Sequence, residues 1–229
     1  MNQKLILRIV GLILCIEALC MLPPLLLAAA SGGADLRAFF ASAALCGGVG
    51  GLLALIKPDD TRLQTRDGFV CVALCWIVLG LFGALPYYFS RSCGYVDAFF
   101  ETVSGLTTTG ATIFSAPSLL PRGIQLWRAL TQWMGGMGIL VLVLALLPKI
   151  SEGSVNLMKA ESPGPISTKL RPRTAETARI LYRIYIALTA VEAVVLRVVG
   201  LPWFDALTTA LTTISTGGFS IRDASIAYY

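Results

Sequence analysis

The chain has 229 residues, 56% of them hydrophobic and only 14% charged, with a mean hydropathy of +0.76. Soluble domains carry about 25% charged residues, so the composition excludes an ordinary soluble domain and predicts an all-α, polytopic membrane protein. The net charge of +5 gathers in turns between apolar runs, which fits membrane orientation rather than nucleic-acid binding, and the absence of histidine excludes every His-dependent triad.

The first apolar run, from about Leu5 to Ala30, follows Lys4 and carries Arg8 near its start. It is too long for a signal-peptide core and is expected as an uncleaved span, bent at its outer end by Pro23 and Pro24. Gly32 and Gly33 turn the chain into a second span over 35–56. The polar connection "KPDDTRLQTRD" carries Lys57, Arg62 and Arg66, and a third span over 68–89 ends near Pro86.

Residues 95–106 are too short to cross a bilayer, which takes roughly 20 residues. The hydroxyl-rich stretch "SGLTTTGATIF" (104–114) follows this segment, "APSLLPRG" turns the chain, and a fourth span is expected over 125–147. The "GGMG" at 135–138 lies inside that span and reads as close helix packing or a local hinge. The longest polar stretch, 148–173, carries Lys149, Lys159, Lys169, Arg171 and Arg173. A fifth span over 175–200 and a second short segment over 203–213 complete the pattern. Alternation of the spans puts Lys4, Arg8, Lys57, Arg62, Arg66 and the 148–173 loop on one face, which the positive-inside rule makes cytoplasmic. Arg37, Arg91, Arg122 and Arg222 fall on the other, so the short segments enter from outside.

The strongest pattern is an internal repeat. Asp97-Ala98 and Asp205-Ala206 align without a gap at an offset of 108 residues. The same offset sets Ser104 on Thr212, Thr107 on Ser215, Thr108 on Thr216, Gly110 on Gly218 and Thr112 on Ser220. The repeated unit is span, half-helix, hydroxyl–glycine loop, span. This predicts two leading helices in 1–60, a first membrane–pore–membrane repeat in 61–150, and a cytoplasmic loop with an incomplete second repeat in 151–229.

A half-helix followed by an extended loop leaves backbone groups unpaired at membrane depth, which is tolerated only where they are buried in protein or line a watery cavity. Rings of backbone carbonyls can replace the hydration shell of a cation there. Glycine leaves the lumen open, Ser and Thr supply short hydroxyls, and the half-helices would aim their partly negative C-terminal ends at the pathway. The expected ion-contacting residues are Thr107, Thr108, Thr109, Gly110 and Ala111 in the first loop. In the second they are Ser215, Thr216, Gly217, Gly218 and Phe219.

The stretches "FFETVSGLTTTGAT", "QWMGGMGILVLVLALLP" and "FDALTTALTTISTGGFS" resemble the first half of the TrkH/TrkG–KtrB–HKT superfamily of potassium and sodium transporters. The resemblance extends over essentially the whole chain. It implies four such repeats around one pore, with Gly110 as the filter glycine of the first and Gly218, or its neighbour Gly217, as that of the second. It also implies K⁺ held by backbone carbonyls of Thr108, Thr109, Gly110, Thr216, Gly217 and Gly218, with no organic cofactor. In the family it resembles, glycine at the first filter position tends to go with a preference for K⁺, which the resemblance implies for Gly110. Further implications are a bacterial inner-membrane location, symport, a cytosolic nucleotide-binding regulator of the TrkA type docking on 148–173, and a homodimer of the full-length member.

Repeats three and four and the closing span of the second repeat are missing relative to that pattern, so these residues are expected to be the N-terminal half of a longer protein. The isolated chain is expected not to carry K⁺ as a monomer. The alternative is a non-conducting fragment or partner subunit that assembles with a complete homologue. No convergent nucleophile, base and metal ligands support a membrane enzyme. Of the six cysteines, all but Cys93 lie in apolar runs and read as small hydrophobes. Among charges in or near spans, Glu101 is expected to hold the first loop by hydrogen bonds and Arg197 to snorkel outward, with Glu17 and Glu192 as further intramembrane carboxyls.

Overall fold

The structure, a computed structural model, describes residues 2–58, 65–138 and 174–229. Among these residues every regular element is helical. The 148–173 loop with its basic residues, Arg62 and the part of the fourth span beyond residue 138 lie outside the described residues.

Helix α1 (Gln3–Cys20) starts where Asn2 Oδ1 accepts the Leu5 amide at 3.2 Å. It hands over at Met21 to α2 (Leu22–Ser31), whose first turn holds Pro23 and Pro24. Proline belongs there because its missing N–H would be unpaired anyway, so the bend precedes the prolines. Gly32, at φ +61°, closes α2 in the left-handed cap expected of a helix-ending glycine. Helix α3 (Leu36–Ala54) returns against α1. A Cβ on Gly11 would come within 2.7 Å of the Gly50 carbonyl, and one on Gly50 within 2.9 Å of the Gly11 carbonyl. These two glycines bring the backbones into direct contact, the small-residue packing that membrane helices favour.

Helix α4 (Thr65–Gly83) gives way at Ala84 to the five-residue α5 (Leu85–Phe89). Pro86 does not end the third span; it sits in the first turn of α5, so the break lies upstream of it. The carbonyl of Gly83 at this break accepts Trp127 Nε1 at 3.0 Å. Helix α6 (Tyr95–Leu106) is the first half-helix. Helix α7 begins at residue 122 and is described to 138. Helix α8 (Thr174–Val199) runs unbroken for 26 residues, and α9 (Trp203–Ile214) is the second half-helix. Position 194, the counterpart of Pro86 at the 108-residue offset, is valine, which accounts for α8 being continuous where its counterpart breaks.

Three helical stretches among the described residues are long and apolar enough to cross a membrane: Gln3–Ser31, Leu36–Ala54 and Asp67–Phe89. At 1.5 Å per residue α8 spans about 39 Å, long enough to cross, but Arg183, Glu192 and Arg197 interrupt its apolar surface. The main core joins Met21, Phe39, Tyr87, Ala98, Ile124 and Trp127. Residues from before, within and after the first half-helix meet in it, so the core fixes α6 in place.

Candidate functional site: two capped half-helices and the side chains between their loops

Each half-helix is 12 residues long, and their bounds differ by the offset of 108 at both ends. Each stops the same way. In the first, Thr108 N–H donates to Gly105 O and Thr109 N–H to Ser104 O, both at 2.9 Å. In the second, Thr216 N–H donates to Thr213 O at 2.8 Å and Gly217 N–H to Thr212 O at 2.9 Å. This crossed pair is a Schellman cap, which needs a left-handed residue at the turn. Glycine is usual there; here Thr108 (φ +55°) and Thr216 (φ +58°) fill the position. A β-branched residue at positive φ is an outlier that persists only where its surroundings hold it. Two residues on, Gly110 (φ +77°) and Gly218 (φ +79°) are again left-handed. The backbone therefore pairs Gly110 with Gly218, and Gly217 is the counterpart of Thr109.

The two loops meet. A Cβ on Gly110 would collide with the Gly217 carbonyl oxygen. Among the described residues, no group donates to the backbone carbonyls of Thr107–Gly110 or Ser215–Gly218. The first loop exposes Thr107, Thr109 and Ala111, and the second exposes Thr216 and Gly218, while Ser215 and Phe219 are buried.

What holds the loops is a buried ion pair. Glu101 on α6 and Arg128 on α7 are 0% and 1% exposed, with Nε donating to Oε1 at 2.8 Å. Arg128 Nη2 donates to Thr112 Oγ1 at 3.0 Å, and Nη1 to the Ser220 carbonyl at 2.9 Å. Glu101 accepts Thr112 Oγ1 at 2.8 Å and the Ile113 amide at 3.0 Å. The guanidinium lies 4.4 Å from the Phe219 ring centroid and 5.6 Å from that of Phe114. A planar fork with five donors suits this multiple duty, for which lysine would not. Glu101 therefore does hold the first loop, as expected. Arg128 was not among the sequence candidates, although an arginine inside the expected span 125–147 is the signal that could have identified it.

The two loops are braced differently. Ser104 Oγ donates to the Ala111 carbonyl across the first loop, whereas its counterpart Thr212 turns back to Thr209 O in its own helix. The position equivalent to Glu101 is Thr209, so the second half-helix offers no carboxylate at that depth. Besides the Arg128 contact at Ser220, the second loop is held by Gln132, whose Oε1 accepts the Phe219 amide at 3.0 Å, and beyond it by Asp205 through Arg222. Asp205 Oδ2 accepts Arg222 Nε at 2.9 Å and Nη2 at 2.6 Å, and also Tyr229 Oη. These hydrogen bonds hold the Arg222 guanidinium above its ordinary pKa. The outer connections are tied together where Ser118 Oγ and N–H donate to Asp223 at 2.7 and 3.0 Å, which holds that carboxyl below its usual range.

The "GGMG" segment packs α7 against both half-helix ends. A Cβ on Gly135 would collide with the Leu106 carbonyl, and one on Gly136 would lie 3.0 Å from Ser215 Cβ. This is the close packing expected of it, with α7 as the shared wall. Arg197 is exposed and stacks 5.6 Å from Trp203, in keeping with its outward position. Glu17 is buried, with Cys46 Sγ 3.6 Å from Oε2. All six cysteines are free thiols. Among the described residues no group of three or more His, Cys, Asp or Glu could hold a metal.

Membrane-length helices, with two half-helices capped alike and their loops in contact, define a polytopic helical membrane protein built on a repeated half-helix–loop unit. A family model for the cation transport protein TrkH matches residues 36–229, and the chain belongs to that family. It is 43% identical over its whole length to the Trk system potassium uptake protein TrkH of Halomonas elongata, and likewise 43% identical to that of Escherichia coli K12; in each case it covers 48% of the relative. The crystal structure of the potassium transporter TrkH from Vibrio parahaemolyticus superposes with a TM-score of 0.85 at 37% identity, covering all of this chain and 46% of that one. The chain thus spans about half the length of the relatives it matches. They are named as transport proteins, in agreement with the absence of any enzymatic site from the sequence reading.

Proposed function

We propose that this chain supplies two of the ion-path units of a Trk-type potassium uptake system in the bacterial cytoplasmic membrane. The observation that carries the proposal is the pair of loops: two runs of backbone carbonyls with no donor among the described residues, each following a half-helix C-terminus, at matching backbone angles and in mutual contact. A cation leaving water must recover its lost oxygen ligands, and a fixed set of carbonyl dipoles does that without reorganising. On this reading K⁺ is coordinated by carbonyls of Thr108, Thr109 and Gly110 and of Thr216, Gly217 and Gly218. Thr107, Ala111, Ser215 and Phe219 flank them. The negative ends of the α6 and α9 dipoles add a cation-favouring potential.

Glu101 and Arg128 form the brace of this path rather than a binding site. A neutral, hydrogen-bonded pair keeps both loops in register without placing a net charge beside the ion. The proposed organisation is a leader (1–60), a first repeat (61–150) and a cytoplasmic loop leading into a second repeat (151–229). The 148–173 loop is proposed to dock a cytosolic nucleotide-binding regulator, and symport and dimer formation are proposed for the full-length protein.

Rubidium uptake, measured in a bacterial strain lacking its own potassium uptake systems and expressing the intact gene product, tests the proposal. Saturable uptake in which K⁺ competes and Na⁺ competes far less is expected. Uptake no greater than in the empty strain would contradict it.

A further inference from the structure

Gln132 is the residue between the two loops whose chemistry the brace does not use up. It lies on α7, one turn beyond Arg128, and its side chain is completely buried. Its orientation is settled by its partner: the Phe219 group is an N–H donor, so the atom facing it at 3.0 Å must be Oε1. The amide nitrogen Nε2 is therefore turned away from Phe219, and it is buried without any hydrogen-bond partner. A carboxamide nitrogen carries two donors, and buried donors are nearly always paired with protein or ordered water.

The direction Nε2 faces is marked by the two glycines. A Cβ added to Gly217 would run into the Gln132 carboxamide, and one added to Gly110 would come to 3.8 Å from Nε2. The carboxamide thus lies behind the junction where Gly110 meets the Gly217 carbonyl. Among the described residues Nε2 has no hydrogen-bond partner, and a bridging water is the group that would pair it with the first loop.

We infer that Gln132 is a positioning residue for the ion path, a carboxamide that fixes the second loop through Oε1 and the first through a water held by Nε2. This rests on the proposed function above. A two-ended tie at the junction sets the spacing between the two runs of carbonyls, and that spacing decides which cation is matched. Glu101 and Arg128 hold the loops from their far ends; Gln132 acts at Gly110 and Gly217 themselves.

Gln132→Met removes both polar ends at similar volume, and Gln132→Glu keeps an acceptor for the Phe219 amide while its carboxyl replaces the Nε2 donor only when protonated. The intact gene product is expressed in the uptake-deficient strain, its amount in the membrane is measured by immunoblot, and the ratio of rubidium to sodium uptake is read with the KM for rubidium. We expect Gln132→Met to lower the ratio at least about tenfold and to raise the KM, at wild-type protein level, and Gln132→Glu to keep more of the ratio at pH 6 than at pH 8. A ratio and KM within about twofold of wild type in Gln132→Met would overturn the inference, because neither polar end of Gln132 would then set the loops. If Gln132→Met does not accumulate, Gln132→Glu is read in the same way at pH 8. Failure of both variants to accumulate would mark a residue needed only for folding and would also overturn it. A wild type without selective uptake would instead overturn the proposed function.

Discussion

Arg128 and Glu101 meet at 2.8 Å in a site from which water is excluded, and between them they hold the Thr112 hydroxyl, the Ile113 amide and the Ser220 carbonyl. A single buried contact thereby ties together two loops that are 108 residues apart in sequence. Removing one member leaves the other charged, buried and unpaired, which costs about 3–5 kcal/mol. Glu101→Gln and Arg128→Met are each expected to lower the melting temperature of the detergent-solubilised protein or prevent its accumulation. The double variant is expected to recover much of the stability, since the isolated charge is gone, yet not selective uptake, since Ser220 loses its anchor. Fluorescence-detected size-exclusion thermostability reports the first, and rubidium uptake the second.

Cys93 gives the sidedness. It lies in the connection between α5 and α6, on the face that the distribution of Lys and Arg predicts to be external. Burial, with Asp97 and Glu101 adding to it, pushes its thiol from 9.0 up to about 11. The thiolate is the reactive form, so at pH 8 its fraction is lower by about 100-fold than that of an unshifted thiol. A Cys93-only variant treated with an impermeant thiol reagent on intact cells should label slowly at pH 7. The rate should climb about tenfold per pH unit through pH 9. Labelling that occurs only after the membrane is broken open would reverse the orientation.

Two glycines of one segment should behave oppositely. Gly135 has the Leu106 carbonyl where a Cβ would go, whereas a Cβ on Gly138 would make ordinary contact with the Trp76 ring at 3.7 Å. Gly135→Ala forces α7 off the first half-helix and should cost about 1–3 kcal/mol. Gly138→Ala should change stability by less than about 0.5 kcal/mol. Melting temperatures of the two purified variants check this, and equal values would show that α7 does not set the position of α6.

The half-helices and their repeat were legible because sequence fixes them locally. Segments of 12 residues are bounded by Asp-Ala near one end and a hydroxyl–glycine run at the other, and the offset is the same at every matched position. Gly110 and Gly218 could be matched for the same reason. The brace was only half legible. Glu101 stood out as a carboxyl in a short apolar segment, but its partner comes from the next helix, and nothing local to Arg128 says which carboxylate it meets. Gln132 was invisible as a functional candidate, because a neutral side chain at the start of a glycine-rich span carries no signal until the loop it touches is in place. The third span was legible over 68–89, but the break at Ala84 inside it was not, because proline both ends helices and begins them, and the Trp127 hydrogen bond to the Gly83 carbonyl comes from a distant helix.

The central claim is that the Gly110 and Gly218 loops form the ion path, and the two glycines test it because their surroundings differ. Both have left-handed backbone, so any side chain costs about 1–2 kcal/mol. Only at Gly110 does the added Cβ also strike the opposite loop, at the Gly217 carbonyl; at Gly218 nothing lies within 4 Å. The decisive measurement is the ratio of rubidium to sodium uptake for wild type, Gly110→Ser and Gly218→Ala, each at matched membrane abundance in the uptake-deficient strain. The account predicts that Gly110→Ser loses most of the discrimination, by about tenfold or more, and that Gly218→Ala loses less. Wild-type discrimination in Gly110→Ser, at wild-type abundance, would contradict it.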